Sequence, residues 1–319
     1  VDGLALTVLS PANRELGATC NAIGQSLGLF LAYVGFILLH SKGVTTLGGF
    51  MRIWGWLFLG SIAAVATMAR NDEYTRPPGN VANHLVDTYG EMAKVLGLPA
   101  VRSLGVVLLT RGAPFAVFDV LLPLELQRNG VRKEQLALLS TMLLPISMAS
   151  QAIVSRFFRE GATPMTIFLR AAQARLVQGL LAIGLVGLLR AVGGGSGGDV
   201  PLWLLGVGLL VLALGAVASS SMFVAQMAFF NRVSDARIGG TYLTMLNTLA
   251  NLGAQWPGTV VLALKGAIER TPGAPDGFYV VSLSSLVIGA AWLYWMSQPI
   301  RQLQQRPAAD WLATQAEKE

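Results

Sequence analysis

Eight apolar stretches of about 20 residues each, at 17–40, 47–68, 100–122, 135–157, 171–190, 201–229, 240–264 and 277–298, limit what this chain can become. A helix rises about 1.5 Å per residue, so about 20 residues cross a hydrocarbon core of about 30 Å. The stretches are rich in Leu, Val, Ala and Gly, and none shows the alternating pattern of a barrel strand. Lipid offers no hydrogen bonds to the backbone, so a spanning segment of this kind satisfies its own amides as a helix. The predicted class is all-α, a polytopic membrane protein. Composition agrees: 53% of residues are apolar, 13% are charged, and the mean hydropathy is +0.57.

Several kinds of chemistry lack the residues they need. The single cysteine, Cys20, cannot form a disulfide within the chain and reads as a packing residue. His40, at a helix end, and His84, in a loop, are the two histidines. Neither lies in an HExxH or CxxC arrangement, so no catalytic group, protein-bound metal or cofactor is expected. A membrane acyltransferase with a histidine general base would find both poorly placed. The glycine-rich run AVGGGSGGDV at 191–200 lacks a Walker pattern and reads as a flexible turn. No basic region precedes the first apolar run, so a cleavable signal peptide is not expected. The formal net charge of +6 fits cations that hold loops on one side of a bilayer, or a field that favours an anionic cargo. No nucleic-acid partner is expected; the bilayer is.

An even number of spans returns the chain to the side it left. Of the 23 Lys and Arg residues, thirteen fall in the loops sharing a side with both termini, seven in the opposite loops, and three in or beside spans. The positive-inside rule then places both ends in the cytoplasm. Arg170 and Arg175, like Arg232 and Arg237, read as cations bordering cytoplasmic turns. The longer loop at 69–99 carries Val81, Leu85, Tyr89, Met92 and Leu96 at helical spacing, which predicts a short interfacial helix.

Two segments echo one another. SPANRELGATCNAIGQSLG and SDARIGGTYLTMLNTLANLG each run from a polar turn with Arg through Gly and Thr to two amides four residues apart. Asn21 and Gln25 thus correspond to Asn247 and Asn251. Six spans separate the copies, as in parallel repeats related by an axis along the membrane normal.

Together with VDGLALTVLS, GVRKEQLALLSTMLLP, IGGTYLTMLNTLANLGAQWP and DGFYVVSLSSLVIGAAWLYW, these strings resemble the acetyl-coenzyme A transporters of the endoplasmic reticulum membrane, a family of the major facilitator superfamily. The resemblance runs from residue 1 to about 312 and implies a twelve-helix bundle, in which the eight spans here correspond to helices five to twelve and the first four are absent. In that frame 1–68 is the remainder of an amino-terminal bundle, 69–99 a cytoplasmic linker with its interfacial helix, 100–298 a carboxy-terminal six-helix bundle, and 299–319 a cytoplasmic tail. The implied function is movement of acetyl-CoA from the cytosol into the endoplasmic reticulum lumen by alternating access, with no bond made or broken. A permease for another organic anion, such as a muropeptide, is the alternative within the superfamily. A homodimer is a further open expectation.

The residues that could carry such a function are polar groups inside spans. Arg111 lies mid-span beside Gly112 and Pro114, and a charge there faces a cavity or is paired. It is either a cation for a phosphate of coenzyme A or part of a structural ion pair. Asp119, eight residues on, is about 12 Å away along an ideal helix, too far for direct pairing with Arg111, and is a candidate coupling residue. Asn21 and Gln25 share one helix face, as do Asn247, Asn251 and Gln255. Three amides over two turns exceed the needs of one packing contact, so this stripe is predicted to face water or substrate. Tyr242 and Trp256 flank it and could stack on adenine, although Trp256-Pro257 reads more simply as a kink with an interfacial anchor. Gln226 is a further candidate for the cavity wall.

Overall fold

The computed structural model describes residues 14–68, 89–90, 92–159, 161–193, 200–235 and 238–312. Every predicted span is helical. α1 (Arg14–Ser41) and α2 (Leu47–Met68) form the first two. The third is divided into α3 (Pro99–Thr110), a π-helical turn (Val117–Leu121) and α4 (Leu122–Arg128). α5 (Lys133–Arg159), α6 (Pro164–Gly193), α7 (Leu202–Val233), α8 (Gly239–Arg270) and α9 (Gly277–Gln305) follow, and a 3-10 turn, Ala308–Trp311, closes the described part.

Six of these helices, α1, α2, α5, α6, α7 and α9, are long and apolar enough to cross a membrane. The other two spans depart for visible reasons. α3 is only 12 residues long because its span is interrupted, and α8, at 32 residues, carries the amide stripe along its length. The chain is an all-α, multi-pass membrane protein.

Two compact units divide the chain, Val1–Gly24 with Gly90–Glu319, and Gln25–Tyr89. In the smaller, the end of α1 turns into α2 through Gly43, whose φ of 67° suits a residue without Cβ. Phe36 stacks on His40, ring centroids 5.2 Å apart, and meets Phe50 at the same distance. His40 Nδ1 lies 3.2 Å from the Thr45 carbonyl oxygen, so the imidazole closes this hairpin.

In the larger unit, α7 packs along α5 and α6, α9 along α6, and α8 crosses α3. Two apolar clusters fill it. One gathers Phe115, Phe168, Phe229, Tyr242 and Trp311; the other gathers Val117, Phe118, Leu122, Val186 and Phe278. The broken third span passes from one to the other, with Phe115 in the first and Ala116 in the second. α9 continues past residue 298 to Gln305, and Trp311 is 2% exposed, so the stretch beyond the last span packs against the bundle as far as that indole. Of the predicted interfacial helix, residues 92–97 are helical with Val95 in the core, while Val81 and Leu85 lie outside the described residues.

Candidate functional site

Pro114 lacks an N–H, and its ring crowds the carbonyl four residues back, so α3 stops at Thr110. The hydrogen bonds then change register. Ala113 N–H donates to Thr110 at 3.1 Å instead of to Leu109, and Phe118 N–H donates to Phe115 at 3.0 Å instead of to Pro114. The two carbonyls released find other donors: the Trp256 indole reaches Leu109 O at 2.8 Å, and the Ser285 hydroxyl reaches Pro114 O at 2.9 Å. Trp292 Nε1 adds a bond to Thr110 Oγ1 at 2.9 Å. Irregular backbone among apolar helices persists only where neighbours re-satisfy it, and α8 and α9 do so here. Trp256 is therefore a stitch in the middle of α8, not the interfacial anchor that its pairing with Pro257 suggested.

Glycines set how closely α8 approaches the break. A Cβ on Gly112 would collide with the carbonyl oxygen of Gly253, and a Cβ on Gly253 with that of Leu108. The two backbones touch at this crossing. Gly253 stands about 200° around α8 from Asn251, at about 100° per residue, so the helix turns glycine to α3 and its amides away.

Three charged groups meet beside the break. Arg111 caps α3, half-buried, and its Nη2 donates to Ala250 O at 3.3 Å, while its Nε is buried without a hydrogen-bond partner. Asp119 accepts from Nη2 of Arg175 in α6. Arg175 is only 7% exposed, lies with its guanidinium carbon 4.6 Å from the centre of the Phe115 ring, and also has a buried, unpartnered Nε. Arg111 is close enough to feel the charge of both Arg175 and Asp119.

The expected reading of Arg175 as a cation at a cytoplasmic turn is corrected. α6 begins at Pro164, seven residues before the predicted span, which carries Arg175 three turns into the helix. Thr163-Pro164 was the available signal, since proline favours the first turn of a helix. Asp119 does not pair within its own span, as its distance from Arg111 along the sequence implied; its partner comes from α6.

Asn251 and Gln255 are exposed and Asn247 is half-buried, so the stripe faces outward from the core of the larger unit. Asn21 is half-buried in the part of α1 belonging to that unit, beside core residue Ala22, and Gln25 is exposed in the smaller unit. Tyr242 is corrected: it is 1% exposed, and its hydroxyl donates to Trp311 O at 3.2 Å. An enclosed ring cannot receive a stacked base, so Tyr242 belongs to the core. Gln226, 2% exposed, is likewise interior. His84 lies outside the described residues. A cavity of about 290 Å³ beside the break, lined by Ala113, Val117, Trp256 and Val260 among others, is almost wholly apolar. Among the described residues, no charged side chain lines this cavity.

A second charged cluster, which the sequence reading did not assemble, ties the other ends of these helices. Arg190 binds Glu125, Asp276 at 2.7 Å and Asn129 at 3.2 Å. Lys265 lies 3.6 Å from Glu125 and 3.0 Å from Glu269, which also accepts from Arg128 at 2.9 Å. Asp276 caps α9 by accepting from Phe278 N–H at 2.9 Å. Burial raises its pKa, but the Arg190 and Phe278 hydrogen bonds outweigh that and hold the carboxyl below the usual range. Glu269 is held low mainly by Lys265, with help from Arg128.

Comparison with known proteins gives this geometry a context. The chain is 24% identical over 352 residues to an uncharacterized protein of Schizosaccharomyces pombe, covering 98% of this chain and 65% of that protein. It is 24% identical over 409 residues to an uncharacterized membrane protein of Saccharomyces cerevisiae, covering 98% of this chain and 72% of that one. The chain thus spans about two thirds of the length of these relatives. A family model described as acetyl-coenzyme A transporter 1 matches residues 1–83, 61–187 and 202–271. Those matches cover most of the chain, from α1 through the crossing of α3 and α8, and the chain belongs to the acetyl-coenzyme A transporter 1 family.

Proposed function

We propose that this protein moves acetyl-CoA across the endoplasmic reticulum membrane, from cytosol to lumen, by alternating access in a major facilitator fold. Membership of the family supports the cargo. The observation that carries the reading is Arg111, a cation at a helix break with a buried, unpartnered Nε. An isolated cation among apolar helices is costly unless it faces an anion or water, and coenzyme A brings phosphates. The breaks of transporter helices favour the same place for a substrate. Asn21, Asn247, Asn251 and Gln255, all in the larger unit, line the path in this reading, and Asp119 is the coupling residue.

The test is uptake of labelled acetyl-CoA into sealed proteoliposomes holding the purified protein. Saturable accumulation, abolished by Arg111→Gln and retained by Arg128→Ala, is the expected result. Absence of uptake by the natural protein, or equal loss in both variants, would overturn the reading.

A further inference from the structure

The charges beside the break do not balance. Two guanidiniums, Arg111 and Arg175, share one carboxylate, Asp119, among the described residues. Each arginine keeps a buried Nε with nothing bonded to it. Asp119 and Arg175 are also unequally placed: the arginine side chain is 9% exposed and the aspartate side chain 55%. The anion can therefore leave, while the cation is held in place by α6 and by the Phe115 ring. A net positive charge in a low-dielectric setting favours the arrival of a second anion. Arginine's planar fork suits phosphate in particular, because it offers two parallel N–H donors to two oxygens.

We propose that Arg111 and Arg175 form a two-guanidinium site for a phosphate or phosphoanhydride group, and that Asp119 is its exchangeable counter-ion, occupying Arg175 until the substrate's phosphate displaces it. This rests on the reading of the protein as a transporter of a phosphate-bearing cargo and adds the second cation and the group that guards it. It also gives Asp119 a role that needs no proton: the carboxylate holds the empty site near neutrality and yields it when cargo arrives. The exchange is one of ion pairs, with no covalent change.

Equilibrium titration of the full chain in nanodiscs, with inorganic pyrophosphate, acetyl-CoA and S-acetylpantetheine as probes, tests the site. Arg175→Gln is expected to weaken pyrophosphate and acetyl-CoA about tenfold or more, as for loss of charged hydrogen bonds. Asp119→Asn removes the competitor and is expected to tighten both several-fold. S-acetylpantetheine, which has no phosphate, should respond to neither. The double variant Asp119→Asn with Arg175→Gln removes both members of the ion pair together, so it should keep the natural protein's thermal midpoint while binding pyrophosphate as weakly as Arg175→Gln alone.

Pyrophosphate binding that is absent from the natural protein, indifferent to these substitutions, or weakened by Asp119→Asn would overturn the site. The two readings separate cleanly. Expected pyrophosphate shifts without acetyl-CoA binding would sink the cargo and keep the site. Acetyl-CoA uptake with pyrophosphate indifferent to all three variants would sink the site and keep the cargo.

Discussion

α6 carries two arginines into two charged clusters, and the clusters are built on opposite rules. Arg175 and Arg190 stand 15 residues apart in sequence, about 22 Å along a helix. At Arg190, three cations (Arg128, Arg190, Lys265) meet three carboxylates (Glu125, Glu269, Asp276), and the ends of α4, α6, α8 and α9 are joined by them. At Arg175, two cations meet one carboxylate beside a helix that has already lost its regular hydrogen bonds. A balanced network fixes helices relative to one another. An unbalanced one has affinity left for something else.

The comparison is tested most severely at Glu125, 1% exposed and shared between Arg190 and Lys265. Glu125→Ala leaves both cations without their common partner, and a loss of about 3–5 kcal/mol is expected, read as a lower thermal midpoint in detergent. Acetyl-CoA affinity of the folded fraction should be unchanged; a loss of affinity without a loss of stability would reverse the roles assigned to the two clusters.

Arg111→Gln is the complementary case, expected to weaken acetyl-CoA binding by about 1.5–3 kcal/mol while moving the thermal midpoint little. Titration beside a melting curve reads both at once. Gly253→Ala drives a methyl group into the Leu108 carbonyl, and a destabilisation of about 1–3 kcal/mol is expected from such overpacking. A stable Gly253→Ala variant would mean that the α3–α8 crossing does not set the position of the break.

Acidity affects the balanced cluster in one direction. The carboxyls of Glu269 and Asp276 lie below their ordinary values in the folded protein. Their contribution is therefore present above the unfolded values of about 3.9–4.3 and is lost as pH falls through the lower folded ones. The thermal midpoint should hold from neutrality to mildly acidic pH and then drop below about pH 4, more shallowly in Asp276→Asn. The smallest effect is expected for Arg128→Ala, whose pair with Glu269 is exposed, at less than about 1 kcal/mol. A larger loss would show that the network is coupled out to its rim.

Much of the fold was legible because lipid imposes a length. The eight apolar stretches became helices, and α2 occupies the predicted limits of 47–68. Gly112 and Pro114, noted beside Arg111, lie where the third span is interrupted, and the amides noted at helical spacing share one face of α8. What could not be read was which side chain answers which. Trp256 and Ser285 find freed carbonyls 147 and 171 residues away in sequence. Tyr242 looked like part of the polar stripe because its spacing is similar, but it turns inward to Trp311, a residue assigned to a tail.

The sequence by itself determined that this chain forms apolar helices, and that a cation and a row of amides lie within them. Hydrogen-bond satisfaction in lipid acts locally, so local sequence reports it. Only the tertiary structure decided that Arg175 lies deep in a helix and takes Asp119, that Gly112 meets Gly253 backbone to backbone, and that Arg190 closes a neutral network instead of a binding site. Those outcomes depend on which helices become neighbours and at what depth, and charge balance is a property of the neighbours together.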